Sequence, residues 1–315
     1  MSLYVVQPGP QTTIQAGRRV GARRFGVPAA GPADGLSHAL ANRLCANAAE
    51  APALEIALGG ARFRFKAPTR FAITGAPAAL SLNGARVEPH RTQTAAAGDE
   101  LTIGGAQAGA RLYLAVAGGF DATTFLGSSS TYLPARLGGH DGRALAADDL
   151  LQFGDEAAAG ADLETPPPLR PVIANSWLLR ATPSADTPDL EPAAREALFS
   201  QTFRVSRAAD RMGVRLEGAA LALRSDGRMP SAAAFPGLIQ CPADGAPIIL
   251  GADAQTTGGY PRIAAVIRAD RHLIGQLRPG DAVRFLETTP DDAVSILREK
   301  TRLIEAFAPG ARALL

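Results

Sequence analysis

The length, composition and charge of the chain limit what it can be. At 315 residues it exceeds the usual size of one domain, so we expect two domains or one long β-rich unit. Hydrophobic residues make up 46% and charged residues 20% of the chain, which is ordinary for a packed globular protein. The net charge is only +2, and the arginines are scattered without interleaved aromatics, which argues against a nucleic-acid-binding protein.

Cysteine usage and hydropathy give expectations about location. Two cysteines, Cys45 and Cys241, predict no disulfide framework and fit a reducing compartment. The first ten residues have neither a basic leader nor a long apolar core, so they do not resemble a signal peptide. No apolar run reaches the ~20 residues that a membrane span needs. We therefore expect a cytoplasmic protein with no membrane partner.

In chain order, the first half of the sequence is predicted to be mostly β. Short strand-like segments separated by Gly and Asn turns are typical of a barrel or sandwich. These segments are Leu3–Val6, Thr12–Gln15, Arg62–Lys66, Phe71–Thr74, Leu80–Gly84, Glu100–Ile103 and Arg111–Val116. A helix is predicted from about Gly35 to Cys45, because leucines recur four apart and Asp34 suits its N-cap.

The second half begins after a change of composition. Asp155 to Pro171 is rich in Ala, Gly, Glu and Pro, which predicts a linker that is stiff at its proline cluster. Helices are predicted for Asp186–Leu198 and Pro290–Phe307, with a β pattern resuming at Gln201. We therefore expect an N-terminal β-barrel-like unit (1–155), a Pro-rich linker with a short helix (156–200), and a C-terminal β unit with a terminal helix (201–315).

One short phrase, an acidic turn before an alternating strand, recurs three times. It occurs at Ala97–Ile103, Ala147–Phe153 and Pro279–Phe285. The match is too short to establish a duplication, although it suggests that both halves share a β-barrel plan. We expect its aspartates to accept hydrogen bonds from turn amides, a structural role.

The densest polar segment follows an apolar strand-like run. Five polar residues fall within eight positions there: Asp253, Gln255, Thr256, Thr257 and Tyr260. Buried polar side chains cost free energy unless they find partners, whereas a few convergent donors and acceptors suit a ligand pocket. Because Asp, Thr and Gly also form ordinary turns, a structural turn remains the alternative.

Two further polar segments are candidates for binding. Arg211 could hold a substrate carboxylate bidentately, with Asp210 fixing its guanidinium, or the two residues could be structural. The loop Gly127–Thr131, followed by Gly138–Arg143, resembles an anion-cradling loop with one fixed cation nearby. A flexible surface loop is the alternative there.

Missing motifs exclude several classes of site. The sequence has no P-loop, no Gly-x-Gly-x-x-Gly opening a βαβ unit and no Gly-x-Ser-x-Gly elbow. The four histidines, which lack ligand spacing, argue against structural zinc. We expect each to be a surface or capping residue rather than a catalytic base; they are His38, His90, His140 and His272.

Taken together, these segments resemble the biotin-dependent carboxyltransferase-like proteins, also called allophanate hydrolase subunit 2-like or 5-oxoprolinase C-subunit proteins (KipA-type). The resemblance covers roughly residues 3–288 and consists of several unrelated short motifs in one order. They are Gly26-Val-Pro…Gly31-Pro-Ala-Asp34, Ala41-Asn-Arg-Leu…Asn47 with Leu54-Glu55, Leu114-Ala-Val-Ala-Gly-Gly119, Leu126-Gly-Ser128, Asp210-Arg-Met-Gly-Val-Arg-Leu-Glu-Gly218, Pro236-Gly-Leu-Ile-Gln240 and Asp253-Ala-Gln-Thr-Thr-Gly-Gly-Tyr-Pro261.

This chain departs from the family pattern at two positions. Ser129 stands where the family usually has Arg, and Ala30 stands where it usually has Ser. Losing an arginine at an anion site is not a neutral change, because its planar fork and charge are lost together.

The resemblance implies a mainly β fold with two cyclophilin-like β-barrel units and a few short helices. It implies a subunit of an ATP-dependent 5-oxoprolinase, a hydrolase that opens the cyclic amide of 5-oxoproline to glutamate and is active only with partners. The implied partners are two other subunits, one B-type and related in fold (KipI-type), the other A-type (LamB/YcsF-type). The alternatives are carboxyl transfer from carboxybiotin to a urea-like substrate, and a non-catalytic regulator that antagonises a partner inhibitor.

The expected cofactors and residue roles combine this resemblance with the residue patterns described above. ATP is expected in the complex, its contact with this chain left open, and no metal, flavin or nicotinamide site is expected. Both chemistries must polarise an amide or ureido carbonyl and stabilise an oxyanion. The catalytic candidates are Asp253, Gln255, Thr256 and Tyr260, and the substrate-binding candidates are Arg211, Gln240, Thr257, Ser128, Ser130 and Asp34.

Overall fold

The chain divides into two compact units in the computed structural model, which describes residues 1–154 and 161–315. The first unit comprises Met1–Val20, Ala30–Ile173 and Arg302–Leu315, and the second comprises Gly21–Ala29 and Ala174–Thr301. This division differs from the composition-based boundaries after residues 155 and 200. Part of the predicted linker lies outside the described residues, and its remainder up to Ile173 belongs to the first unit.

The first unit is built from two antiparallel sheets. The strands in chain order are β1 (Ser2–Gln7), β2 (Gln11–Gln15), β3 (Ala53–Ala57), β4 (Gly59–Phe65), β5 (Thr69–Gly75), β6 (Leu80–Leu82), β7 (Ala85–Arg86), β8 (Gln93–Ala95), β9 (Glu100–Gly105), β10 (Arg111–Val116) and β11 (Leu150–Gln152). One sheet has the order β11-β1-β4-β9-β6-β7, and the other has the order β2-β3-β10-β5-β8.

The two sheets share one apolar core. The first sheet contributes alternate residues of β4 to this core, among them Phe63 and Phe65, and the second sheet contributes Ile56 and Phe71. The rings of Phe65 and Phe71 lie 5.1 Å apart between centroids. Burial of each such side chain stabilises the fold by about 1.5–3 kcal/mol, so this core holds the strand ends and their loops in place.

Helix α1 (Gly35–Leu44) covers the second sheet of this unit. Leu44 packs with Tyr113 and Ala115 of β10, in a cluster separate from the core between the sheets. The Asp34 Oδ1 atom accepts a hydrogen bond from the Ser37 backbone N–H at 3.0 Å. The predicted helix and its N-cap are therefore confirmed.

The second unit contains a closed seven-stranded barrel in the order β12-β19-β16-β17-β14-β13-β20. The strands are β12 (Ser176–Pro183), β13 (Phe203–Ala209), β14 (Gly213–Glu217), β15 (Ala232–Ala233), β16 (Leu238–Gln240), β17 (Ile248–Leu250), β18 (Thr257–Gly258), β19 (Arg262–Val266) and β20 (Ala282–Glu287). Parallel pairing of β12 with β20 closes the barrel, and β15 pairs with β18 as a separate ribbon. The mainly β prediction is confirmed, with a closed barrel in this unit and two sheets in the other.

The helices of the second half test two predictions. Helix α2 (Pro192–Ser200) begins later than the predicted Asp186–Leu198, and Thr187–Asp189 forms a 3₁₀ turn instead. A proline disfavours helical backbone at the residue before it, so Pro192 starts a new helix rather than continuing one. Helix α3 (Pro290–Phe307) has the predicted bounds.

The recurring acidic turns have the predicted structural role. Asp99, Asp149 and Asp281 each accept a hydrogen bond from the backbone N–H three residues earlier, at 2.7, 2.7 and 3.1 Å. Each turn leads into a strand, β9, β11 and β20 respectively. The recurring sequence pattern therefore forms a turn that is stabilised by its aspartate.

Among residues 1–154 and 161–315, none of the helices combines the length and apolar character that crossing a membrane requires.

Candidate functional site

The polar segment Asp253–Tyr260 follows strand β17 in the barrel unit. Its entry is fixed by two backbone hydrogen bonds, from Gly251 N–H to the Met212 carbonyl and from Asp253 N–H to the Arg211 carbonyl, both at 2.9 Å. A Cβ atom at Gly251 would lie 2.4 Å from the Arg211 carbonyl oxygen, so only glycine fits there. The segment is therefore attached tightly to the turn between β13 and β14.

A buried ion pair reinforces this attachment. The Arg211 Nε and Nη2 atoms donate to the two Asp253 carboxylate oxygens at 2.8 and 2.9 Å. The two side chains are only 7% and 5% exposed. Asp210 was the expected partner of Arg211, but its Oδ1 atom accepts from the Met212 and Gly213 amides and shapes the turn. Two predicted site residues thus pair with each other.

Within the segment Asp253–Tyr260, the side-chain amide of Gln255 contacts that of Gln240 in strand β16. The Gln255 Nε2 atom donates to the Gln240 Oε1 atom at 3.2 Å, and Gln240 is 1% exposed. A Cβ atom at Gly258 would lie 2.8 Å from the Gln240 Nε2 atom and 3.3 Å from the Gln255 Nε2 atom. Glycine at position 258 therefore lets the backbone pass close to both glutamine amides, where a larger residue would displace them.

The remaining polar groups of the segment are available to a ligand. The hydroxyls of Thr256, Thr257 and Tyr260 form no hydrogen bond within residues 1–154 and 161–315. Thr257 and Tyr260 are exposed, Tyr260 by 43%. Hydroxyls that the fold does not use are the groups that can bind a small polar molecule.

Sequence reasoning missed one cation beside this segment. The Arg23 Nη2 atom donates to the backbone carbonyls of Ala234 and Gln255, the latter at 3.2 Å. Arg23 lies in a 3₁₀ turn between Gly21 and Gly26, whose φ angles are 79° and 78°. Nothing in the sequence distinguishes it from Arg24, because its partners are more than 200 positions away.

The other binding candidates belong to the first unit, where their polar groups are engaged. The Ser128 hydroxyl donates to the Gly17 carbonyl at 2.5 Å, and the Ser130 hydroxyl both donates to and accepts from the Ala16 backbone. Asp34 is 0% exposed and caps α1. Arg143, the cation of the predicted anion loop, forms a bidentate pair with Asp149 at 2.7 Å. These contacts favour structural roles.

A cleft of about 480 Å³ lies in the first unit, lined by Ala16–Arg18, Val20, Glu50, Pro52 and Leu126–Ser129. The cation among its lining residues, Arg18, donates to the carbonyls of Leu314 and Leu315. The exposed Glu50 side chain has no ion pair with any described residue. The cleft thus carries one charged side chain of each sign, and Arg18 is already engaged, whereas the segment Asp253–Tyr260 offers hydroxyls that are available to a small polar ligand.

A second polar network, also missed from the sequence, positions the loop before α1. The Tyr113 hydroxyl donates to the Glu55 Oε2 atom at 2.8 Å and accepts from the Asp34 backbone N–H at 2.8 Å. Arg111 pairs with the other Glu55 oxygen at 3.2 Å. Burial, with the nearby Glu55 carboxylate, raises the pKa of Tyr113 well above its usual value, so the phenol stays protonated.

Three of the four histidines are buried rather than on the surface. They are His38, His90 and His272. Burial lowers the pKa of His38 and of His90 to about 4, and that of His272 well below its usual value. The fold supplies a partner for His38, the Gln15 carbonyl 3.0 Å from its Nε2 atom, whereas the buried Nδ1 atom of His90 has no hydrogen-bond partner among the described residues. Within the described residues, acidic, His and Cys side chains form no cluster of three or more that could hold a metal.

Comparison with known proteins places the chain. Residues 25–287 match the family model described as "Carboxyltransferase domain, subdomain A and B". The chain is 35% identical to the 5-oxoprolinase C subunit of Escherichia coli (strain K12) over 308 residues, 97% of each protein. It is 37% identical to the 5-oxoprolinase C subunit of Haemophilus influenzae over 290 residues, 92% of each.

A solved structure shares the fold. The Kluyveromyces lactis urea carboxylase superposes with a TM-score of 0.91 at 29% identity, covering 98% of this chain. The chain spans only 29% of that much longer protein. On this similarity and the match to the family model, the chain belongs to the carboxyltransferase domain family, subdomains A and B.

Proposed function

We propose that the chain is the C subunit of an ATP-dependent 5-oxoprolinase and that the segment Asp253–Tyr260 contacts the lactam of the substrate. One observation carries the proposal: a buried ion pair holds this segment, and the hydroxyls of Thr256, Thr257 and Tyr260 are left without partners among the described residues. The end-to-end similarity to proteins named as the C subunit of 5-oxoprolinase supports the choice of reaction.

The roles proposed for the residues follow from their partners. Gln255 and Tyr260 donate to the lactam carbonyl oxygen and stabilise the charge that develops on it when the ring opens. Gln240 fixes the Gln255 amide, and the exposed Thr257 contacts the substrate. Arg211 and Asp253 act together, holding the segment in position, so that Asp253 contributes through geometry.

ATP is assigned to the assembled enzyme rather than to this chain. Lys300 donates to the Ala269 carbonyl, and the Lys66 ammonium lies 5.0 Å from the Tyr4 ring centroid. Neither lysine follows a glycine-rich loop, so the residues present do not fit a P-loop. We propose that two other subunits, one B-type (KipI-type) and one A-type (LamB/YcsF-type), complete the enzyme. We also propose that it works in the cytoplasm, as the two free buried cysteines suggest.

The test is 5-oxoproline-dependent ATP hydrolysis by the chain alone, by the three subunits together, and by mixtures that omit one of the three. We expect turnover only in the full mixture, because the described part of the chain has no nucleotide motif and no nucleophile–base pair in the segment. Robust turnover by the single chain would refute partner dependence. Lack of turnover in the full mixture would refute the assigned reaction.

Carboxyl transfer to a urea-like substrate is the second candidate. It is favoured by the family description and by the fold shared with urea carboxylase. The same donors would polarise a ureido carbonyl instead of a lactam. Exchange of the carboxyl group between carboxybiotin and urea, measured with this chain and its partners, separates the two reactions.

A further inference from the structure

We infer that Arg23 is the anion-binding residue of the candidate site and that it binds the carboxylate of a small-molecule ligand. The inference rests on the proposed position of the site at Asp253–Tyr260 and adds a ligand-binding group to it. A carboxylate site needs a fixed cation with free donors. Arg211 pairs with Asp253, so its fork is already occupied by a protein carboxylate.

Arg23 is fixed next to the residue that we propose to polarise the substrate. Its Nη2 atom binds the backbone carbonyl of Gln255 at 3.2 Å and also that of Ala234. Ala234 in turn donates its N–H to the Thr256 carbonyl at 3.0 Å, so the guanidinium bridges the segment that leaves β15 and the segment that enters β18. The cation is therefore held in one place by backbone.

The guanidinium retains unused donors. Its Nη1 atom is buried and has no hydrogen-bond partner among residues 1–154 and 161–315. Its Nε atom also lacks a partner there and is not fully buried, so Nε is the donor that a ligand can reach. No carboxylate of the described residues pairs with Arg23. A partly desolvated cation without a counter-ion is unfavourable, and a ligand carboxylate would stabilise it.

Partial burial of the Arg23 guanidinium also favours binding of an anion. Desolvation lowers the pKa of Arg23, although an arginine remains protonated at physiological pH. The neighbouring Arg24 differs in each respect: it is exposed, and its guanidinium lies 4.7 Å from the Phe25 ring centroid. The two arginines therefore form a matched pair, adjacent and chemically identical, with only the first in contact with the segment.

Binding measurements on the full chain and its complex with the other subunits test the inference. The carboxylate probes are 5-oxoproline, glutarate and hydrogen carbonate, and the neutral probe is 2-pyrrolidone, the lactam without the carboxylate. We expect Arg23→Gln to weaken carboxylate binding roughly 10- to 100-fold and to leave 2-pyrrolidone binding unchanged. Arg24→Gln should change neither by more than about 2-fold. In turnover, Arg23→Gln should raise KM more than it lowers kcat.

Arg23→Lys keeps the charge and serves where the glutamine variant fails to fold. It should bind carboxylates with an affinity between those of the wild type and Arg23→Gln. Unchanged carboxylate binding in both Arg23 variants overturns the inference, and so does a wild-type complex that binds none of the three carboxylates. If glutarate or hydrogen carbonate binds through Arg23 but 5-oxoproline is not hydrolysed, the inference stands and the proposed reaction fails.

Discussion

The two polar stretches that looked like binding loops in the sequence have opposite hydrogen-bonding states. In the first unit, the hydroxyls of Ser128 and Ser130 are bound to backbone atoms of Ala16 and Gly17. In the second unit, Thr257 and Tyr260 keep their hydroxyls without partners among the described residues. Polar density is similar, yet only the second stretch offers unused donors.

The difference shows that a polar loop becomes a site through what the fold leaves unpaired. Serine hydroxyls that bind carbonyls more than 100 positions away hold the two segments together, and a ligand would have to compete with those bonds. In the barrel unit the Arg211–Asp253 ion pair holds the segment in place, so the neighbouring hydroxyls are not needed for that purpose. A separate anchor is what makes the second stretch the better candidate.

Breaking the anchor should have the largest effect. Arg211→Ala should lower the free energy of unfolding by about 3–5 kcal/mol, because it leaves the buried Asp253 carboxylate uncompensated. Chemical denaturation measures this loss. The control is Arg195→Ala, whose partner Glu287 is exposed, with side chains 50% and 41% accessible. We expect less than about 1 kcal/mol there. A stable Arg211→Ala protein with lost ligand affinity would instead make Arg211 a ligand-binding residue.

Removing the donors that we propose to contact the substrate should affect activity more than stability. Gln255→Ala or Tyr260→Phe should lower turnover by the assembled enzyme ~10- to ~1000-fold, the range for losing a transition-state donor. The melting temperature of Tyr260→Phe should move little, because the Tyr260 hydroxyl has no protein partner among the described residues. That of Gln255→Ala should fall somewhat, because the buried Gln240 Oε1 atom loses its donor. Gln201→Ala, elsewhere in the barrel unit, is the control. Variants that unfold while the folded fraction keeps full specific activity would assign the segment to structure.

Acid should destabilise the first unit, because two of its histidines, His38 and His90, are buried in the neutral form. His38 and His90 have pKa values of about 4 when folded, below the value near 6.5 of the unfolded chain. The unfolded state therefore binds protons first, so this contribution is present above pH 6.5 and is lost as the pH falls towards 4. At pH 5 the loss is about 2 kcal/mol per histidine.

Denaturation curves recorded between pH 7 and 5 measure that loss. His38→Gln and His90→Gln should each flatten the decline by one histidine's share, whatever their stability at pH 7. A decline as steep as that of the wild type in both variants would show that other groups cause it.

The smallest expected effect compares one hydroxyl from each stretch. Ser130→Ala should cost about 1–2 kcal/mol, since the Ala16 N–H and carbonyl lose their partner in a buried position. Thr257→Ala should change stability by no more than about 0.5 kcal/mol, because the side chain is exposed and has no partner among the described residues. Thermal unfolding compares the two. Equal losses would remove the distinction between the stretches.

Local sequence determined much of the fold. Period-2 alternation predicted β4, and leucine spacing with Asp34 predicted α1, because these signals act within a few residues. The three turn aspartates bind amides three positions earlier, which is also a local rule. Helix α2 starts later than predicted, at Pro192, because a proline disfavours helical backbone at the preceding residue. The prediction relied on apolar spacing and gave this local effect too little weight.

Tertiary structure decided which polar groups form hydrogen bonds or ion pairs within the protein and which do not. Arg211 stands beside Asp210 in the sequence, but it pairs with Asp253, 42 positions away. Ser130 is bound 114 positions away, and Arg23 reaches Gln255 across 232 positions. Composition and spacing reveal which residues can donate or accept. They cannot reveal which donors another part of the chain will occupy, because that depends on how distant strands come together.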